Sequence, residues 1–178
     1  MDASPAFQDS LPVSSDALLG RLRGWGLDFT YHEHVPLRTV EDAKQVEADL
    51  VVAGETPFRL KNLYLRDKKK RNYLVTLEQD HVIDLKTLGA ELGVGNLSFG
   101  SADRLMQNLG IRPGAVSPLA MVNGAGQGVR FFMDARAKKA DRVYMHPLVN
   151  DRTIGMTPVD LMTFFERADV QPDWLDLA

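Results

Sequence analysis

The sequence contains no cysteine. Without a thiol, the chain cannot form a disulfide scaffold, a thiolate nucleophile or a cysteine-ligated zinc site. It also lacks an apolar run close to the ~20 residues that a membrane-spanning helix needs. Residues 1–10 contain aspartate and no basic residue, unlike a secretory signal. We therefore expect a cytoplasmic protein that makes no contact with membranes.

A strong excess of one charge is missing too. The 178 residues carry a formal net charge of −3, so contact with nucleic acid would depend on a local patch. One such patch exists, because every residue from Arg66 to Arg71 except Asp67 is basic. The run is either a solvated turn or a site for phosphate groups.

The hydrophobic content of 44% is ordinary for a globular domain with one core. We predict a flexible N-terminal arm over residues 1–12, which are polar and show little periodicity, and a single domain over residues 13–178. Within that domain, strands and helices are interspersed without a regular βαβ rhythm. This arrangement predicts an α+β fold with a mixed sheet.

Periodicity, capping residues and glycine stops locate the elements of this fold. One predicted helix follows a cap at Ser14 or Ser15 and is ended by Gly24 and Gly26, and others run over residues 39–47, 84–92, 101–109 and 157–168. Predicted strands cover residues 29–35 and 141–145, and two hairpins are expected. The first joins residues 57–65 to 73–77 through the basic run, and the second joins residues 119–122 to 129–133 through a glycine-rich turn.

Lys61 and Asn62 lie inside the first hairpin. Strand alternation places Lys61 on one face together with leucines and Asn62 on the other face. A lysine on a partly apolar face either extends its ammonium group to water or is held there for function, and the pattern leaves both readings open. Asn62 would need a bulge or a local twist to reach the same site as Lys61.

Residues 114–118 form a second chemical candidate. Gly114 allows a backbone N–H to approach a ligand closely, and Pro118 stiffens the exit from the loop. Such a loop can present N–H groups to a carbonyl oxygen, although a plain turn has the same pattern.

The histidines form a third candidate. His32 and His34 would share a strand face and could bind zinc, but no third ligand is indicated, so no metal site is predicted. His146 precedes Pro147 at the end of a predicted strand, where its side chain is either structural or able to reach a site.

These motifs follow one another in a recognisable order. Residues 60–65, 114–118 and 146–150, preceded by residues 34–36 and 39–43, resemble the YbaK and prolyl-tRNA synthetase editing-domain family over about residues 14–170. The likeness is strongest to the free-standing prolyl-tRNA editing proteins. It implies a single domain with a mixed, strongly curved β-sheet surrounded by helices.

The resemblance also implies an activity and a set of residues. The expected reaction is hydrolysis of the ester between tRNA and a wrongly attached amino acid, with alanine on proline tRNA as the first substrate and cysteine or serine as alternatives. Expected partners are the acceptor stem and 3′ end of aminoacylated tRNA, and prolyl-tRNA synthetase; no cofactor is expected. The implied residues are catalytic Lys61, Asn62 and His146; substrate-binding Gly114, Ser117, Pro118, His34 and Thr39; and tRNA-binding Lys68, Lys69, Lys70 and Arg71.

No Ser-His-Asp arrangement is indicated, so we expect catalysis mainly by positioning. Lys61 would hold charge, because acting as a base would require its pKa to fall by several units from ~10.4. Two other classes remain open. One is a non-catalytic module of the same fold that binds tRNA or a synthetase, and the other is a small-molecule binding protein in which Lys61 is structural.

Overall fold

An eight-stranded mixed sheet organises the chain in the computed structural model, which describes residues 5–37 and 40–177. The strands are β1 (Thr30–Glu33), β2 (Pro57–Asp67), β3 (Asn72–Glu78), β4 (Leu97–Phe99), β5 (Arg130–Asp134), β6 (Arg142–Met145), β7 (Arg152–Met156) and β8 (Asp173–Leu175). Their order is β1-β7-β6-β2-β3-β5-β8, and β4 pairs with β2. The pairs β2–β6, β3–β5 and β5–β8 are parallel and the others are antiparallel. The expected α+β fold with a mixed sheet is confirmed.

Strand β2 links the two halves of the sheet. Its first residues, from Pro57 to Arg59, pair in parallel with β6. From Leu60 to Arg66 the strand pairs antiparallel with β3, which confirms the first predicted hairpin. The change of partner falls between Arg59 and Leu60, so the segment around Asn62 lies where the two halves of the sheet meet.

The described residues include six α-helices: α1 (Ser15–Gly24), α2 (Val40–Leu50), α3 (Leu85–Glu91), α4 (Ala102–Leu109), α5 (Met121–Gly124) and α6 (Pro158–Arg167). Side chains cap several of them as predicted, because a side-chain oxygen satisfies a backbone N–H that has no partner within the helix. The capping residues are Ser14, Asp84, Ser101 and Thr157. Helix α2 was also predicted, although its expected cap, Thr39, lies outside the described residues.

The second predicted hairpin is wrong. Residues 118–120 form a 3-10 helix that continues into α5, and Gly124 belongs to that helix rather than to a turn between strands. Strand β5 does exist, but it pairs in parallel with β3. A short apolar run such as Leu119 to Met121 has the same composition in a buried helix and in a strand, and here all of it is buried.

Apolar side chains cover both faces of the central strands. In β3, Leu74 packs into a large cluster with α1, α4 and α6, while Tyr73, Val75 and Leu77 pack into a second cluster with Leu88 of α3. The alternation follows the period of two along a strand. Burial on both faces makes β3 a rigid neighbour for β2, which pairs with it and carries Lys61 and Asn62.

The described part of the predicted arm contacts the domain. Residues 5–10 form a 3-10 helix, and Leu11 is buried. Arg112 donates hydrogen bonds to the carbonyl oxygen of Phe7 and to the hydroxyl of Ser10. No helix within the described ranges is long and apolar enough to cross a lipid bilayer.

Candidate active site

A cavity of about 140 Å³ opens between α2, the middle of β2 and the end of β6. Much of its wall is apolar, and a few polar side chains converge on it. This composition is typical of a site for a small ligand, in which apolar contacts provide burial and polar groups set the orientation. The apolar lining residues are Leu37, Ala43, Leu50, Val51, Leu60 and Met145, and the polar ones are Glu47, Arg59, Asn62, Gln79, Tyr144, His146 and Thr153.

Asn62 connects the cavity to the loop over residues 114–118. Its side-chain Nδ2 donates a hydrogen bond to the carbonyl oxygen of Val116 at 2.9 Å. Its Oδ1 accepts a hydrogen bond from the hydroxyl of Thr76 at 2.6 Å. With both ends of the amide engaged, Asn62 holds the loop against the sheet while it lines the cavity wall.

Residues of the loop over 114–118 determine its conformation and do not line the cavity directly. Gly114 has a φ of +92°, a left-handed conformation that favours glycine. Ser117 is fully buried, and its hydroxyl accepts a hydrogen bond from the N–H of Leu119. Pro118 begins the following 3-10 helix. Gly114, Ser117 and Pro118 therefore adjoin the cavity through Val116 and Asn62, and they are not among its lining residues.

His34 and His146 meet beside the cavity, with ring centroids 6.1 Å apart. Nδ1 of His146 lies 2.9 Å from the carbonyl oxygen of Arg152, and Nε2 of His34 lies 2.7 Å from the hydroxyl of Thr153. Burial lowers the pKa of His146, and the nearby His34 acts in the same direction. The imidazole of His146 is therefore neutral at pH 7.

The two histidines do not form a metal site with their neighbours. In the described part of the chain, no group of three or more histidine, aspartate or glutamate side chains is placed to hold a metal ion. The contacts of His34 and His146 are instead with main-chain carbonyl oxygens and with Thr153. The arrangement places the neutral imidazole of His146 and the hydroxyl of Thr153 at the cavity wall.

Lys61 is separated from the cavity that Asn62 lines. Its ammonium group is partly buried and donates a hydrogen bond to the carbonyl oxygen of His81, in the segment after β3. Lys61 is not one of the residues that line the cavity. The structure thus brings Asn62, His34 and His146 together, and it leaves Lys61 on a neighbouring surface of the same strand. Thr39 lies outside the described residues.

Several lining residues were missed by the sequence analysis. Arg59 of β2 and Glu47 of α2, which both line the cavity, form an ion pair at 3.2 Å. Tyr144 accepts a hydrogen bond from the N–H of Val52, just beyond α2. The sequence did carry a signal for Arg59, because a residue two positions before Lys61 lies on the same face of the strand. Nothing in the local pattern indicated Thr153, because its role depends on strands that are distant in the chain.

The basic run forms the tip of the β2–β3 hairpin, where Lys68, Lys69 and Lys70 are exposed. The carboxylate of Asp67 accepts hydrogen bonds from the backbone N–H and the Nε of Arg71, at 2.9 and 2.6 Å. Arg104 of α4 donates a hydrogen bond to the carbonyl oxygen of Lys70 at 3.0 Å. The turn is therefore rigidly held while its three lysines point into solvent, and Arg71 is partly engaged by Asp67.

The aminoacyl-tRNA editing domain family matches residues 34–164, from the end of β1 into α6. The chain belongs to this family. The match includes the cavity, both histidines, Lys61, the loop over residues 114–118 and the basic hairpin tip. The family that the sequence motifs resembled is thus confirmed.

Relatives of this editing domain are similar along most of their length. The prolyl-tRNA editing protein ProX of Acetoanaerobium sticklandii is 34% identical over 83% of this chain and 88% of its own. The prolyl-tRNA synthetase associated domain-containing protein 1 of Bos taurus is 38% identical over 88% of this chain and 91% of its own.

A solved structure has the same fold as this editing domain. It is described as a candidate trans-editing enzyme for prolyl tRNA synthetase, and it superposes with a TM-score of 0.64 over 92% of this chain and 97% of its own. The sequence identity is 18%, so this likeness concerns the fold alone.

Proposed function

We propose that this editing domain hydrolyses the ester between tRNA and a wrongly attached small amino acid, with alanine on proline tRNA as its main substrate. The observation that carries the proposal is the small, largely apolar cavity beside the neutral His146, in a chain of the aminoacyl-tRNA editing family. The cavity would receive the amino acid, and the ribose would remain at its mouth.

The chemistry of the proposed reaction requires a held ester, a water molecule and a place for the developing oxyanion. Asn62 and the loop that it tethers form one wall, while His146 offers an uncharged acceptor on another. Lys61 would supply positive charge for the terminal phosphate or the ester carbonyl oxygen from outside the cavity. The free 2′-hydroxyl beside the ester is part of the substrate and would help to activate the water.

Selectivity for alanine over proline would come from the cavity walls. One methylene group is worth only ~1–3 kcal/mol of favourable fit, so steric exclusion has to carry the discrimination. Leu50 and Val51 on one side and Leu60 and Met145 on the other limit the space. Exclusion of proline would protect correctly charged proline tRNA.

The hairpin tip would bind tRNA phosphates. Lys68, Lys69 and Lys70 form a concentrated cationic surface on a chain whose net charge is −3. Phosphate contacts of this kind position the acceptor stem without reading its sequence. The name of the bovine relative, which refers to prolyl-tRNA synthetase, supports that synthetase as a second partner for this chain.

A deacylation assay tests this proposal. The purified protein is incubated separately with alanyl-, seryl-, cysteinyl- and prolyl-tRNA(Pro), and the released amino acid is measured against buffer alone. We expect alanine to be released fastest and proline to remain attached. Faster release of serine or cysteine would replace the proposed substrate. Tight binding of all four tRNAs without hydrolysis would instead indicate a binding module.

A further inference from the structure

Thr153 lies between the two histidines and is in contact with both. It belongs to β7, which pairs with β1, and this pairing brings it next to the end of β1 where His34 follows. Its hydroxyl oxygen is 2.7 Å from Nε2 of His34 and 3.5 Å from Nδ1 of His146. Thr153 is 5% exposed, so solvent does not compete strongly for these contacts.

His34, Thr153 and His146 form a hydrogen-bonded group with a main-chain carbonyl oxygen at each end. A carbonyl oxygen can only accept hydrogen bonds. Nδ1 of His34 lies 2.8 Å from the carbonyl oxygen of Val35, so the neutral form of this ring carries its proton on Nδ1. Its Nε2 is then an acceptor, and the Thr153 hydroxyl must donate to it. At the other end, Nδ1 of His146 faces the carbonyl oxygen of Arg152 at 2.9 Å, so it must donate as well.

Geometry thereby assigns the direction of each hydrogen bond in the group when both rings are neutral. His146 donates from Nδ1 to the carbonyl oxygen of Arg152 and, in a longer second contact, to Thr153. Thr153 donates to His34, and His34 donates to Val35. Nε2 of His146 is left without a proton, and it makes no hydrogen bond to the described residues. His146 lines the cavity, so Nε2 is available as an acceptor for a ligand there.

An aminoacyl ester carries a group that needs such an acceptor, namely its α-ammonium. Two other polar side chains of the cavity are engaged with neighbours, since Oε2 of Glu47 is paired with Arg59 and the Oδ1 of Asn62 accepts from Thr76. A neutral imidazole nitrogen accepts a hydrogen bond from an ammonium group without carrying charge of its own.

We propose that Thr153 is a positioning residue: its hydroxyl orients the ring of His34 and, through the longer contact, the ring of His146, whose Nδ1–H is held by Arg152, so that Nε2 of His146 can accept a hydrogen bond from the α-ammonium of the aminoacyl ester. The inference rests on the proposed deacylase function and adds to it the group of the substrate that is recognised. Thr153 lines the cavity, but its hydroxyl is committed to His34.

The test pairs two variants with two substrates. Thr153→Val keeps the β-branched shape but removes the hydroxyl, whereas Thr153→Ser keeps the hydroxyl. The substrates are alanyl-tRNA(Pro) and propionyl-tRNA(Pro), which lacks the amino group. Thr163→Val, in α6 and outside the cavity lining, is the matched control for loss of a threonine hydroxyl.

We expect Thr153→Val to lower kcat/KM for the alanyl ester about tenfold, the effect of one positioned hydrogen bond. Thr153→Val should hydrolyse the propionyl ester nearly as fast as the parent protein does. Thr153→Ser should hydrolyse the alanyl ester at the rate of the parent protein. An equal loss with both esters would overturn the proposal, because a purely structural defect would affect them alike. Failure of Thr153→Ser to restore the rate would do the same.

A measurement that is independent of activity separates this inference from the proposed function. Nitrogen-15 NMR of the imidazole rings in the full chain reports which nitrogen carries the proton. We expect the proton on Nδ1 for His34 and His146 in the parent, and a changed signal of His34 in Thr153→Val. A proton on Nε2 of His146 would contradict the inference even if the chain hydrolyses alanyl-tRNA(Pro). If neither ester is hydrolysed by the parent, the proposed function fails and the use of this acceptor for an α-ammonium fails with it.

Discussion

The side chain of Asn62 donates a hydrogen bond to the main-chain carbonyl oxygen of Val116, at 2.9 Å, and joins β2 to the loop over residues 114–118. These two residues are 54 positions apart in the chain. Because Asn62 also lines the cavity, the position of the loop and the shape of the cavity wall depend on the same amide.

Replacement of Asn62 by aspartate tests this coupling. The change preserves shape but places an acceptor opposite the Val116 carbonyl oxygen, which loses its partner. We expect a loss of about 1–3 kcal/mol of unfolding free energy, the usual effect of an unsatisfied buried polar group, together with lower kcat/KM. Denaturant unfolding and the deacylation assay measure both quantities. Asn96→Asp, at an exposed loop position, is the control, and equal behaviour of the two variants would contradict the coupling.

The exposed lysines of the hairpin tip should determine the salt dependence of tRNA binding. We expect Lys68→Gln/Lys69→Gln to raise KM for alanyl-tRNA(Pro) and leave kcat nearly unchanged. The slope of log Kd against log salt should become shallower by up to about 2, as two phosphate contacts are lost. The double variant Lys86→Gln/Lys139→Gln removes two exposed charges elsewhere and should leave the slope as in the parent. Equal slopes in all three proteins would exclude the tip from the tRNA interface.

The ammonium group of Lys61 should matter for the rate more than for stability. Lys61→Met keeps much of the apolar stem but removes the charge and the hydrogen bond to the carbonyl oxygen of His81. We expect kcat/KM to fall at least about tenfold, with a change of only about 1 kcal/mol in unfolding free energy. Lys61→Arg should recover part of the rate if charge alone is required. A Lys61→Met protein with the parent's kcat/KM would show that Lys61 is structural, and Lys86→Met is the control.

Asp67 should make the stability of the protein dependent on pH in the acid range. Burial raises the pKa of its carboxyl group, but hydrogen bonds from Arg71 and Tyr73 outweigh burial and lower the pKa to about 2, from 3.8. The folded protein therefore binds this proton at lower pH than the unfolded chain. The contribution of Asp67 is complete well above pH 3.8 and is lost as the pH falls from 3.8 towards about 2.

Urea unfolding of the parent and of Asp67→Asn between pH 2 and pH 6 measures this effect. We expect the parent to be more stable near pH 6 and the difference between the two proteins to shrink as the pH falls. Arg71→Gln should reduce the pH dependence in the same range, because it removes the nearest cation. A difference that is constant across the whole range would show that Asp67 has an ordinary pKa in the folded protein.

Much of the local structure could be predicted because its causes lie within a few residues. Ser101 caps α4 and Asp84 caps α3, each through a hydrogen bond to a backbone N–H three residues further on. The β2–β3 hairpin follows from two β-prone runs on either side of a charged turn. The 3-10 helix and α5 after Ser117 could not be predicted, since a buried apolar segment without alternation is compatible with either type of element.

The sequence by itself determined the family, the hairpin with its basic tip, most helix boundaries, and the nomination of Asn62 and His146. Only the tertiary structure decided that Asn62, and not Lys61, lines the cavity, and that Thr153 joins His34 to His146. The physical reason is the range of the interactions. Caps and turns are made by neighbouring residues, whereas the cavity depends on β1 pairing with β7 and on β2 changing partner from β6 to β3.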